Sequence, residues 1–222
     1  MRRTLCLLML ALLAVSCAHK RPTAPVAADV MPNPDSPASV VRAFAWVWQH
    51  RAADRYDELL TADFRFVFAP SDSSGNPYPN GAWALADELI SAGHLFVVGP
   101  VQPPASQIAL SIADVLVATP DPRAGRDPKW HKIIRTPVDL QMTTDSGGSP
   151  AVSWVSGYAL FYLVRGDSAS IPPRLVALGW TPDSTRWWIQ RWEDETAGAS
   201  GSPADVKPAQ NLTWGAVKAR YR

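Results

Sequence analysis

Cysteine is almost missing from this chain. The two present in 222 residues, Cys6 and Cys17, both fall near the start, so no disulfide framework and no thiolate metal site can be built downstream of them. Histidine is scarce as well. Of four, His50, His94 and His131 fall where the chain can fold, and none of these stands four residues from another as a zinc helix requires, so neither a metal nor a cofactor is expected. There is no excess of charge. With 21 Lys and Arg against 20 Asp and Glu, no basic footprint is available for a phosphate backbone, and nucleic acid is excluded as a partner. The apolar run from Leu5 to Val15 is shorter than the roughly 18 residues needed to span a bilayer. No internal repeat appears.

What is present begins with a targeting segment. Met1, the basic pair Arg2 and Arg3, the apolar run and small Ser16 make a secretory signal over residues 1–16 with no acidic residue in it. Its removal takes away two arginines and no acid, leaving 19 basic against 20 acidic residues. If cut as a plain secreted protein, the chain would carry one unpaired thiol into an oxidising compartment, a liability that lipidation removes. The run Leu13, Ala14, Val15, Ser16, Cys17 resembles the lipobox of bacterial lipoproteins. The resemblance implies a cut before Cys17, diacylglycerol on its thiol, a fatty acyl group such as palmitate on its amine, and a membrane partner held through that lipid. Two or three acyl chains hold firmly where one does not. Ala18 in place of Asp implies the outer membrane of the bacterial cell envelope, facing the periplasm or the cell surface.

Residues 17–36 carry the lipidated cysteine and a Pro- and Ala-rich stretch with few large apolar groups. Such a stretch acts as a tether, and at ~3 Å per residue it reaches roughly 50 to 60 Å. Residues 37–222 are long enough for one domain with a sizeable core. Ser36 and Pro37 open a helix whose stripe is Val41, Phe44, Ala45 and Trp48. A second short helix runs from Asp54 with Tyr56, Leu59 and Leu60 on its apolar side. The alternation of FRFVFA then places Phe64, Phe66 and Phe68 on one face of a strand. A loop follows, PSDSSGNPYPNG, and Asn80 is expected to cap a third helix with the face Trp83, Ala86, Leu89 and Ile90. Strands are expected at 107–118, 133–142, 151–166, 174–181 and 185–194, with Pro137 at an edge or a bulge. A tail helix should bury Trp214, Val217 and Tyr221.

Helices first and strands after give an α+β fold. Val40 to Phe68, VVRAFAWVWQHRAADRYDELLTADFRFVF, and the late strand WWIQRWED resemble the NTF2-like superfamily. The resemblance covers roughly residues 37–195. It implies a cone: N-terminal helices packed on a curved antiparallel sheet, with a pocket at the open end.

Ten tryptophans supply aromatic surface, most of it expected to fill the core. The candidate pocket residues are Trp48, Tyr56, Phe66, Trp154, Tyr158, Tyr162, Trp188 and Trp192. Trp154, Tyr158 and Tyr162 share one face of their strand, and Trp188 and Trp192 are expected to share one of theirs; alternation does not say which face is concave. No catalytic constellation can be read. The leading expectation is a membrane-anchored, non-catalytic NTF2-like domain that binds a small apolar ligand, a glycan or a partner protein. The alternative is an isomerase- or dehydratase-like enzyme using a pocket carboxylate, for which Asp114 and Asp139 are the candidates. A structural envelope protein, pairing as a homodimer through its sheet, is the third.

Overall fold

The structure, a computed structural model, describes residues 29–100, 102–197 and 210–222. The signal segment, Cys17 and most of the tether lie outside the described residues. The folded unit runs from Met31 to Arg222. It takes in chain ahead of Pro37: Met31 packs against the core, and the Trp187 N–H donates to Pro34 O at 2.8 Å.

Helix α1 (Pro37–His50) starts where Ser36 Oγ accepts the Ser39 N–H at 3.1 Å, a cap worth ~1 kcal/mol. It buries Val40, Val41, Phe44, Val47 and Trp48. One turn of helix, α2 (Ala53–Tyr56), and a 3-10 turn lead into strand β1 (Leu60–Val67). There Phe64 and Phe66 point inward, followed by Phe68 just beyond the strand, and all three are buried. Strand β2 (Ala82–Ala84) folds back on β1 before helix α3 (Leu85–Phe96).

Strand β3 (Ala105–Ile112) and the short β4 (Thr119–Pro120) both pair with β5 (His131–Ser146). A tight turn joins β5 to β6 (Ser149–Arg165), with Gly147 and Gly148 both at positive φ, 63° and 83°, as the twist of a two-residue hairpin demands. Helix α4 (Pro173–Ala177), β7 (Trp187–Thr196), β8 (Gln210–Asn211) and helix α5 (Trp214–Ala219) complete the chain. The sheet order is β2-β1-β7-β6-β5-β3, with β4 on β5 and β8 on β6. The sheet curves without closing over the helices, and the α+β cone expected is the fold class observed.

Several expectations are corrected. The sheet is mixed, not antiparallel: β1 and β7, joined by no hairpin, run parallel, as do β6 and β8. Residues 174–181 do not form a strand. Pro173 sits in the first turn of α4, where its missing N–H costs nothing, and only Leu175 of that helix is buried. The strand expected over 107–118 stops at Ile112, paired with Val138. The next residue across is Pro137, which has no N–H to donate, so the ladder ends there and the Ala113 N–H turns to Thr136 Oγ1 at 3.2 Å. Asn80 is no helix cap. It takes a left-handed conformation (φ 57°) in the turn before β2, and the helix begins after Ala84, whose N–H donates to Asp87 Oδ2 at 3.2 Å. The buried face of α3 is Glu88, Ser91, Ala92, Leu95 and Phe96, while Ile90 is exposed.

Candidate functional site

The eight aromatic candidates divide between the two sides of the sheet. Trp48, Tyr56, Phe66 and Trp192 lie inside the cone, each no more than 1% exposed. Trp154, Tyr158, Tyr162 and Trp188 belong to the opposite face. Trp188 and Trp192 are separated by a bulge: Tyr162 pairs with Arg191 and Leu163 with Ile189, leaving Gln190 as the extra residue. One added residue reverses the alternation beyond it. Trp188 therefore joins Val164, Leu175 and Trp180 in a small second core under α4, whereas Ile189 and Trp192 enter the main one. Further along the outer face Arg123 covers Tyr162 at 4.1 Å, and Arg135 lies 3.6 Å from the Tyr158 ring centroid and pairs with Glu195 at 2.6 Å.

The inside is filled. Trp214 of α5 sits edge-on against Trp192 with centroids 4.4 Å apart and against Trp48 at 5.0 Å, with Phe44 5.0 Å from Trp192. Within this aromatic packing lies a buried polar cluster. Glu88 of α3 accepts from Tyr56 Oη, from Trp83 Nε1 at 2.9 Å and from the Lys218 ammonium. The Lys218 nitrogen also lies 3.5 Å from the Phe66 ring centroid and 3.9 Å from that of Trp192, so the ammonium has a carboxylate and two aromatic faces in place of water. Burial lowers Lys218 to about 8, against the opposing pull of Glu88. Burial likewise raises the Tyr56 hydroxyl well above its usual range, with Glu88 adding to the effect. Asp194 on β7, raised by burial, is held by Thr196 and by the Gly215 N–H at 2.7 Å.

Glu88 and Lys218 escape the sequence reading because charged residues are expected outside. The signal for Lys218 is its spacing, four residues after Trp214 and one after Val217, on the buried side of the tail helix. Asp114 and Asp139, the carboxylates expected as catalytic candidates, are both exposed.

Space for a ligand lies outside the cone. A half-open cleft of about 400 Å³ is lined by Arg65, Tyr78, Asn80, Ala82, Trp83, Ala84, Asp87 and Arg191. Its position follows from the strand pattern. Arg65 is the outward residue between Phe64 and Phe66, and it lies beside Arg191 in the β1–β7 register. Ala82 and Ala84, small residues on edge strand β2, leave the hollow, and Tyr78 stacks on Phe68 to form a wall. A second hollow of about 210 Å³ lies between α2 and α3, near Arg174. Among the described residues no group of three His, Cys, Asp or Glu could hold a metal ion, and no helix is long and apolar enough to cross a membrane.

No family model and no curated protein matches the chain. Among solved structures it is similar to a protein of Kribbella flavida, with TM-score 0.46 and 14% identity, covering 70% of this chain and 84% of that one. It is similar to an NTF2-like superfamily protein of Salmonella enterica, with TM-score 0.45 and 9% identity, covering 75% and 92%. A ketosteroid isomerase-like protein of Erwinia carotovora gives TM-score 0.41 and 14% identity, covering 70% and 89%.

Proposed function

We propose that this is a lipid-anchored protein of the bacterial outer membrane, held through Cys17, whose domain binds a small molecule in the cleft between β1, β7 and the start of α3. The observation that carries the binding reading is the contrast between a packed interior and an open outer cleft of about 400 Å³, within the size range of small-molecule sites. An isomerase- or dehydratase-like reaction needs an interior carboxylate free to take a proton. Both oxygens of Glu88 are engaged, and so are both of Asp194; such a reaction would have to use Asp57, whose Oδ1 is buried without a hydrogen-bond partner among the described residues while its Oδ2 holds Arg174.

The test of the binding reading is a nuclear magnetic resonance titration with mixtures of small polar molecules, read at the backbone amides and the tryptophan indoles. Binding should move Ala82, Trp83 and Ala84 and leave the Trp48, Trp192 and Trp214 indoles in place; saturable shifts at those three instead would put the site inside the cone. For the anchor, labelling cells with a radioactive fatty acid should mark the protein and fail with Cys17→Ser. A label unchanged by the substitution would refute it.

A further inference from the structure

The charges around the outer cleft do not balance locally. Arg65 and Arg191 stand side by side on neighbouring strands, where like charges directly opposite each other are destabilising. Arg191 has a partner: its Nε donates to Glu193 Oε1 at 2.6 Å. Asp87, the only carboxylate lining the cleft among the described residues, is spoken for on both oxygens. Arg222 donates to Oδ1 at 2.8 Å and 2.5 Å, and the Ala84 N–H to Oδ2 at 3.2 Å. Arg65 is left over. Its one hydrogen bond among the described residues goes to the neighbouring Phe64 carbonyl at 2.8 Å, and it forms no ion pair there. The result is a hollow with a surplus guanidinium, a second guanidinium next to it, and the neutral polar groups of Tyr78 and Asn80 on its rim.

We infer that the cleft recognises a small organic oxyanion, a carboxylate or a phosphate, received by Arg65 with Arg191 beside it. A guanidinium presents a planar fork of donors that matches either group. The small side chains of Ala82 and Ala84 leave room for the body of the ligand, and Tyr78 offers it an aromatic edge. The inference rests on the reading of this cleft as the binding site and names its chemistry.

The experiment is calorimetric titration of the whole chain, at constant ionic strength because exposed charges are screened by salt. The probes are sodium benzoate, inorganic phosphate and uncharged benzamide. At least one of the two anions should bind saturably with a dissociation constant below about 10 mM, and benzamide at least tenfold more weakly. Whichever anion binds identifies the headgroup. Arg65→Met should weaken that binding about tenfold or more, the usual loss for a charged hydrogen bond, while the melting temperature stays put because Arg65 is exposed. If benzamide binds as well as benzoate and Arg65→Met changes nothing, the oxyanion inference falls and the cleft reading stands. If neither anion binds, the inference falls outright. If the anions bind and Arg65→Met has no effect while the interior indoles move, both readings fall.

Discussion

Lys218 is the residue on which the interior turns. A lysine brought out of water into aromatic surroundings is tolerated only with a carboxylate against it, and Glu88 supplies one. Removing one partner leaves the other charge buried and alone, so Glu88→Ala and Lys218→Ala should each cost about 3 to 5 kcal/mol in urea unfolding. Lys218→Met, which keeps the volume, gives a cleaner reading of pH. Lys218 is lowered to about 8 in the folded chain, against roughly 10.4 when unfolded. Between those values the unfolded chain binds the extra proton, so the stability traceable to this side chain rises with pH. It is present in full above the unfolded value and is lost as pH falls through about 8. The stability of the unsubstituted chain relative to Lys218→Met should therefore climb from pH 8 toward 10, and a flat or falling difference would remove this account of the cluster. No property of the amino-acid pattern announces such a pair. Helical spacing put Lys218 next to Trp214 and Val217, but type argued for solvent, and only the aromatic packing around Phe66 and Trp192 makes the buried position tolerable.

Among the elements, those with long, consistent patterns are the ones legible in advance. Ser36 and Pro37 do open α1, Phe64 and Phe66 do face inward from β1, and Trp214, Val217 and Tyr221 are buried together. The failures have physical causes outside local pattern. Period-two alternation cannot foresee the extra residue at Gln190, so it put Trp188 and Trp192 on one face. The β-rich composition of 174–181 outweighed Pro173, which in fact opens a helix. The cleft was invisible for a further reason: it joins Arg65 and Arg191, residues far apart in the chain that only the β1–β7 pairing brings together. On its other edge β7 pairs with β6, where Gly157 opposes Thr196; its φ of 143° favours glycine, and a Cβ there would lie 2.7 Å from Thr196 Cα. Gly157→Ala should push β7 from β6 and cost about 1 to 3 kcal/mol by thermal or urea unfolding. An unchanged melting temperature would mean that this contact is looser than drawn.

At the scale of the whole molecule, the curved and unclosed sheet offers room on two sides. Here the inner side is taken up by α1, α3 and α5 through Trp48, Phe96 and Trp214, and part of the outer side by α4 over Trp188. The proposed recognition falls to the outer surface at the β2 end, where Arg65 and Arg191 meet the start of α3. The proposed anchor fits such a division, since a domain on a tether presents its outside and needs no entry path to its centre. The account stands on the interior being closed. Hydrogen exchange of the tryptophan indole N–H groups tests that directly, because exchange of a fully buried group waits for opening of the structure. Trp192 and Trp214, both 0% exposed, should exchange only at the rate of global unfolding, while Trp154, 37% exposed, exchanges at once. Rapid exchange at Trp192 and Trp214 under conditions where the domain stays folded would show water reaching the centre of the cone and contradict the account.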